Sequence, residues 1–332
     1  MATPMILIGT SGYSFPDWVG PFYPLGTDRG KMLDHYVQHF PTVEVNATYY
    51  RIPPPSTLHA MERKTPPGFE FVVKAHHDMT HKRSLDDEIY QAFARSVDPL
   101  LQAGKLSGVL AQFPYAFRRT RENEKFLGEM KQRLPGTHLF VEFRHNSWVR
   151  DERHGRSDDI FSWLEEQGLG YVSVDEPDLP GLVPPVARAT GSVGYVRLHG
   201  RNKENWWRPD GAVRAFPDSA PRPKRERPGG MPRGAADYGP LFATDAAAAS
   251  ADTAAPDTAA ADTAPPKPRP SNPGDRYDYL YSEAELKEWV DKIRDLSMKA
   301  KKTFVFFNNC HVGQAATGAK LMRRLLEGEG LL

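Results

Sequence analysis

The chain has 332 residues, long enough for one large α/β domain or two ordinary ones, and 43 Lys plus Arg against 42 Asp plus Glu leave a net charge of +1. That balance removes any global electrostatic case for nucleic acid or membrane, so such a case must be local. A single cysteine, Cys310, excludes an intramolecular disulfide and a cysteine-rich zinc site; with no basic, signal-like start and no apolar run of membrane length, the expectation is a cytoplasmic protein without membrane contact.

Residues 5–9 form a short apolar run ending in Gly-Thr-Ser-Gly-Tyr, which suits a first buried strand and a turn, and 14–30 is a loop rich in aromatics, Gly and Pro. A helix over 31–40 leads to strand two at 42–46, where Glu44 and Asn46 share a face. A second helix starts at Pro53 and runs to 64. Strand three, 69–74, ends in Lys74, with His76, His77 and His81 just beyond. Helix 88–102, strand four at 108–112 ending in Gln112, and helix 121–134 follow.

Strand five begins at Leu139. Because side chains alternate along a strand, Leu139, Val141 and Phe143 point one way while Phe140, Glu142 and Arg144 point the other. An acid and a base thus close an apolar strand, which costs desolvation energy unless each charge is paired or used. Helix 158–167 precedes strand six at 170–175, which ends in Asp175. The Pro-rich passage 177–185 carries little helix signal. Strand seven, 194–199, puts Arg197 and His199 on one face. Ser282-Glu-Ala-Glu285 has the form of a capping box opening a helix to 301, strand eight covers 303–308 and ends in Asn308, and a last helix spans 313–327.

Eight strands alternating with helices, without hairpin signals, predict parallel strands and a single (β/α)8 barrel, a TIM barrel, over 1–332. A doubly wound open sheet is the alternative, weakened because no glycine-rich phosphate fingerprint follows a strand. Residues 209–274 break the pattern in the loop after strand seven. A basic Pro/Gly-rich patch with Arg222, Lys224, Arg225, Arg227 and Arg233 is followed by an Ala/Asp/Thr/Pro tract, so a low-complexity, disordered insertion is expected there.

The C-terminal strand ends of such a barrel form its active-site face. They carry Glu44, Asn46, Lys74, Gln112, Glu142, Arg144, Asp175, Arg197, His199 and Asn308, and the alternative to a functional site is a buried ion-pair network that sets register. Glu142 is the first choice for a catalytic acid or base, Asp175 the second carboxylate, and His199 and Lys74 the further catalytic candidates. Glu44, Asn46, Tyr49, Gln112, Arg144, Trp148, Arg197 and Asn308 are the substrate-binding candidates. Lys74 is read equally as a salt bridge to Glu44 or Glu142 and as a ligand contact, and its use as a Schiff-base nucleophile requires a lowered pKa. His76, His77 and His199 with Glu142 and Asp175 offer metal ligands, but a divalent metal is not the favoured reading, and cofactor and metal identity are left unknown. Tyr13, Phe15, Trp18, Tyr49, Tyr50, Trp148, Trp206 and Trp207 either stack on sugars or bases or plug the barrel mouth. Cys310 beside His311 is read as a packed thiol.

Gly9-Thr-Ser-Gly-Tyr13, Val43-Glu-Val-Asn46 with Tyr49 and Tyr50, Phe71 to Lys74, Glu142-Phe-Arg144 with Ser147 and Trp148, Arg197-Leu-His-Gly200, Tyr279-Leu-Tyr-Ser282 and Phe306-Phe-Asn-Asn309 together resemble the YecE-like family, domain of unknown function 72. The resemblance spans nearly the whole chain apart from the insertion and implies a TIM barrel without an established activity. Two departures are the insertion and Cys310, where the family pattern leads one to expect a histidine that here follows as His311.

Three functions are carried forward. The first is a hydrolase acting on a phosphate-bearing substrate, nucleic acid among the candidates, with Glu142 as acid or base and Lys74, Arg144 and Arg197 binding the anion. The second is a glycoside hydrolase using Glu142 and Asp175. The third is a non-enzymatic ligand-binding barrel. The expected partner is a small molecule or a polyanion.

Overall fold

The computed structural model describes residues 5–149, 160–206 and 275–332. Eight parallel strands close into one barrel in chain order: β1 Met5–Ser11, β2 Thr42–Val45, β3 Glu70–Lys74, β4 Leu106–Gln112, β5 Leu139–Glu142, β6 Leu169–Asp175, β7 Val193–Leu198 and β8 Lys302–Phe307. β1 closes the ring against β8 over six register pairs, from Met5 with Lys302 to Thr10 with Phe307. Helices run between them: α1 Arg29–Tyr36, α2 Ala47–Tyr50, α3 Pro55–Arg63, α4 His77–Thr80, α5 Asp87–Gln102, α6 Arg121–Gln132, α7 Ile160–Glu166, α8 Lys203–Trp206, α9 Glu283–Lys299 and α10 Gln314–Gly328. Among the described residues no helix is long and apolar enough to cross a membrane.

Side-chain chemistry sets where these helices begin. Asp86 caps α5 by accepting from the Glu88 N–H, and Thr120 caps α6 by accepting from that of Asn123. Ser282 and Glu285 complete the capping box of α9. β6 passes to β7 without a helix, because Pro177, Pro180, Pro184 and Pro185 remove the backbone donors a helix would need. That loop is held by side chains instead: Thr190 Oγ1 donates to the Leu169 carbonyl at 2.6 Å and accepts from the Tyr171 N–H at 2.8 Å.

Register decides which side chains face the barrel axis. Ser11 pairs with Glu44, Glu44 with Val72, Val72 with Gly108, Gln112 with Glu142, and Arg197 with Phe306. Paired residues of parallel strands share a face, and alternation then carries that face to Lys74, two residues beyond Val72. Gly108 and Gly170 flank β5 because Phe140 fills the interior between them; a Cβ at either would lie 2.5 or 2.6 Å from that ring. Phe140 packs on Tyr195 at 4.8 Å between ring centroids, and Tyr195 lies 5.4 Å from Phe306. This aromatic layer is the floor on which the charged residues sit.

The insertion expected over 209–274, its basic patch and Trp207 lie outside the described residues. The chain on either side of that stretch meets at the mouth: Asn202 Nδ2 donates to the Asp278 carbonyl at 3.0 Å, and the rings of Trp206 and Tyr277 lie 6.4 Å apart. Replacing 207–274 by a short flexible linker is therefore expected to leave a cooperatively folding barrel. Closure entropy favours the shortened loop by about 0.6 kcal/mol per halving of its length. Urea denaturation checks this, and loss of a single cooperative transition is the contrary result.

Candidate functional site

The centre of the C-terminal end is an alternating chain of acids and guanidinium groups. Arg197, 1% exposed, donates from Nη1 to Glu142 Oε2 at 2.5 Å and from Nη2 to Glu44 Oε1 at 2.7 Å. Tyr195 donates its hydroxyl to the other Glu44 oxygen at 2.6 Å. Arg144 brings Nε to 2.8 Å from Glu142 Oε1 and donates from Nη1 to Glu176 Oε2 at 3.0 Å, and the Val183 N–H supplies the second Glu176 oxygen. The sequence GluPheArg on β5 makes this arrangement local, since Glu142 and Arg144 leave the strand end on one face.

His199 stands 3.2 Å from Glu142 Oε1 through Nε2, and Asn308 Nδ2 lies 2.9 Å from its Nδ1. With the Asn308 amide in that orientation, Nδ1 accepts and the ring proton sits on Nε2, facing the carboxylate. Burial, with the Arg144 charge behind it, pushes the His199 pKa down to about 3, so the ring is neutral. Glu142 is the opposite case. Burial alone would raise its pKa, but Arg144, Arg197 and His199 outweigh burial and hold it well below the usual carboxylate range. A group held ionised in this way is a fixed charge and a poor proton donor.

Two groups are poised near neutrality. Burial, then the Arg197 charge, lowers Lys74 to about 7. Burial raises Glu176 to about 7 against the pull of Arg144. Lys74 is half-buried and forms no ion pair among the described residues, because Glu44 and Glu142 are both taken. Its Nζ donates to Gln112 Oε1 at 2.8 Å and stands 4.4 Å over the Tyr49 ring. Of the two equal readings of Lys74, the salt bridge to Glu44 or Glu142 is not formed among the described residues, and a neutral amide stands in its place. His81, edge-on to Tyr49 at 5.1 Å, is lowered to about 4 by burial and then by the Lys74 charge. Asn46 sits half-buried beside them with Oδ1 unpartnered among the described residues.

Two expected site residues are elsewhere. Asp175 pairs in register with Leu198, one step off the Val174–Arg197 pair, so it faces outward from the barrel wall. It accepts from Tyr281, Trp289 and both Nε and Nη2 of Arg201, which corrects its reading as a second catalytic carboxylate. Trp148, fully buried, donates to the Phe117 carbonyl and stacks on Phe143 at 4.1 Å, so it is core and no substrate contact. Arg197 is likewise corrected as an anion clamp, since two carboxylates occupy its fork.

Glu176 and Tyr195 escaped the sequence reading. Each follows from period-two counting, Glu176 two residues after Val174 and Tyr195 two before Arg197. Cys310 donates to the Ser11 carbonyl and burial pushes its thiol up, leaving it inert, while His311 is exposed and 3.7 Å from Asp278.

Ligand atoms of His76, His77 and Asp78 come within 4.8 Å of one another. They read as a capped turn. His76 Nδ1 accepts from the Asp78 N–H, its ring also bonds the Tyr50 backbone, and Lys82 Nζ sits 2.8 Å from Asp78 Oδ1. The metal set drawn from several strand ends also loses Asp175. A shallow concavity lined by Glu62, Thr65, Gly68 and Lys105 belongs to the opposite rim, among the loops that precede β3 and β4.

A family profile described as "Protein of unknown function DUF72" matches residues 7–228 and 237–331. The chain belongs to the DUF72 family. This DUF72 chain is 31% identical over 333 residues to UPF0759 protein YunF of Bacillus subtilis (strain 168), covering 98% of this chain and 96% of that protein. It is 31% identical over 174 residues to UPF0759 protein YecE of Escherichia coli (strain K12), covering 52% of this chain and 59% of that protein. The crystal structure of a DUF72 family protein from Thermotoga maritima MSB8 superposes with a TM-score of 0.70 at 33% identity, over 97% of this chain and 99% of that one. A DUF72 family protein from Enterococcus faecalis V583 shares the fold, with a TM-score of 0.71 at 23% identity over 97% and 96% of the two chains.

Proposed function

We propose that the chain is an enzyme that seats a small phosphate-bearing substrate at the C-terminal mouth of its barrel and hydrolyses it, with Arg144 and Lys74 holding the anion. The observation behind this reading is an imbalance of donors over acceptors. Glu44 and Glu176 are matched by hydrogen bonds and Glu142 by Arg197 and by a close ion pair from Arg144 to Oε1 that is not an aligned hydrogen bond, whereas Arg144 Nη2 and Arg197 Nε are buried donors with no hydrogen-bond partner among the described residues and Lys74 meets only an amide. A buried donor without an acceptor costs roughly 1–3 kcal/mol, which a phosphate oxygen relieves with a charge-assisted bond.

The rings of Tyr49, His81 and Trp206 lie around these cations, with Trp206 5.9 Å from the Arg144 guanidinium, and they offer faces for the organic part of such a substrate. A nucleotide or a strand end fits that description. Lys74 supplies the base: in its neutral form it takes a proton from the attacking water, and the ammonium so formed stabilises the charge developing on the phosphoryl oxygens. The glycosidase alternative loses support, because Asp175 faces away and both Glu142 and Glu176 are held by Arg144.

Inorganic phosphate at ten times its Kd is expected to stabilise the wild type by about 1.4 kcal/mol. Lys74→Met should lose that response while gaining about 0.5–2 kcal/mol of intrinsic stability, as substitutions that remove a functional strain commonly do. The sign follows from linkage. A lysine whose folded pKa is depressed carries its full cost below about 7 and none above the free value near ~10.4, so the gain shrinks as pH rises through that window. Equal phosphate responses in both proteins, or a shift only with neutral sugars, would overturn the reading. Tight binding without turnover of any phosphate ester would favour the non-enzymatic barrel.

A further inference from the structure

We infer that Lys74 is also an imine-forming amine, which condenses with small carbonyl compounds bearing a carboxylate or phosphate held by Arg144. This rests on the reading of the mouth as an anion site, but it adds a different reaction.

Among the buried or half-buried lysines of the described residues, Lys74 is the one that ends a barrel strand at the mouth; Lys131 donates to the Thr137 carbonyl from α6 and Lys292 lies over Trp289 on α9. Lys105 is fixed as an ammonium by Glu62 and Thr65, and Lys302 by Glu70. Lys74 instead has a neutral acceptor on one side, Gln112 Oε1, and an aromatic face on the other, Tyr49. One N–H is thereby oriented, and the lone pair is left for an electrophile. The Lys74 side chain is half-buried at the end of β3, at the mouth of the barrel. Burial, then the Arg197 charge and, more weakly, that of Arg144, favours the neutral amine against Glu142 and Glu44, lowering its pKa to about 7. Arg144 Nη2 supplies an unpartnered donor for the anionic end of the same molecule.

The chemistry balances without a further reagent. The Nζ lone pair attacks the carbonyl carbon and the C=O π electrons move to oxygen. Both amine protons then pass to that oxygen, which leaves as water, and a C=N bond remains. Neutral His199 and the oxygens of Glu142 and Glu176 are not required to change their charge.

The test uses the full chain, pyruvate as the anionic probe, acetaldehyde as the uncharged one, and sodium cyanoborohydride to reduce the imine, with peptide mass mapping as readout. At pH 7.5, roughly, an ordinary lysine is about 0.1% neutral, so pyruvate is expected to label Lys74 on the order of a hundredfold faster than exposed Lys31 or Lys203. The Lys74 rate should rise through about pH 7 and then level off, saturate with pyruvate, and fall when inorganic phosphate is added. Gln112→Glu, which sets a carboxylate beside the amine, should slow labelling at least ~tenfold. Lys74→Arg should abolish it.

Labelling spread evenly over surface lysines, with Lys74 no faster, overturns the proposal. A phosphate-induced thermal shift without a Lys74 adduct overturns the imine while leaving the anion site intact. Acetaldehyde reacting at Lys74 as fast as pyruvate supports the amine chemistry and overturns the anionic requirement, and with it the phosphate site.

Discussion

Glu142→Gln is expected to lose about 3–5 kcal/mol of folding stability at neutral pH, the usual range for breaking a buried ion pair by removing one partner. The swap keeps size and shape but removes the charge between Arg197 at 2.5 Å and Arg144 at 2.8 Å. The one amide oxygen that remains can serve only one of the two guanidinium groups; otherwise Arg197 keeps Glu44 and the Ser11 hydroxyl, and Arg144 keeps Glu176, on a floor of Phe140, Tyr195 and Phe306 whose one hydroxyl, that of Tyr195, is given to Glu44. The new amide also turns an N–H₂ toward a guanidinium. Because the folded pKa of Glu142 is depressed, its contribution is present above the free carboxylate value near ~4.3 and is lost as pH falls through the folded value. The difference between wild type and mutant should therefore be full at pH 7 and shrink on acidification. Urea denaturation at several pH values, with an unchanged m, is the measurement. A loss below about 1 kcal/mol would return Glu142 to the role of a free acid or base.

Under the proposed function, this distribution of charge is what lets a buried mouth react. Glu142 and Glu44 fix Arg197, and Glu142 with Glu176 fixes Arg144, so the guanidinium groups cannot rearrange when a ligand arrives. Burial first, then the Arg197 charge, lowers Lys74 against the opposing charges of Glu142 and Glu44, and its hydrogen-bond partner Gln112 adds no charge of its own. The amine is thus depressed mainly by its burial beside the ion network, of which it is not a member. Electrostatic preorganisation of this kind is what lets a site act on developing charge without reorienting its dipoles.

The eight alternating strands were legible because each is a run of four to seven residues bounded by turn signals, and the long helices α5, α6 and α9 carry caps, whereas closure of the ring is not contained in periodicity. The Pro-rich passage 177–185 carries little helix signal, and no helix stands between β6 and β7. The interior set was legible wherever a charged residue sits two places from another on the same strand, as with Glu142 and Arg144 or Arg197 and His199. It failed at β6 for one reason. Asp175 ends the strand, and an acid at a strand end reads as a site residue, but whether it faces in or out depends on register with β7, which no single-strand pattern contains. Trp148 failed differently: the 3-10 turn Asn146–Trp148 folds the indole back onto Phe143, a tertiary packing event without local signature. Pairing partners were also out of reach, so a salt bridge for Lys74 was as reasonable as the amide it has.

Asp175→Asn tests the corrected assignment, with an expected loss of about 3–5 kcal/mol and an unchanged ligand response per folded molecule. Asp175 is 1% exposed and accepts from the Tyr281 hydroxyl at 2.7 Å, from Trp289 Nε1 at 2.6 Å and from Arg201 through Nε at 2.9 Å and Nη2 at 2.7 Å. These donors come from α9, from the segment before it and from the residue after Gly200, so one carboxylate ties β6 to both chain ends that border residues 207–274. An asparagine keeps one acceptor oxygen and presents an amide N–H₂ to a fully buried indole N–H or to the Tyr281 hydroxyl. At least one buried donor then lacks its acceptor, which alone costs about 1–3 kcal/mol. Arg201 retains Glu288 at 2.8 Å, an exposed pair worth little. The phosphate-induced thermal shift and Lys74 labelling should survive, because none of the groups that Asp175 holds reaches the interior set of Lys74, Gln112 and Arg144. A variant that keeps its stability while losing the phosphate response would restore Asp175 to the site and displace the outward register as its explanation.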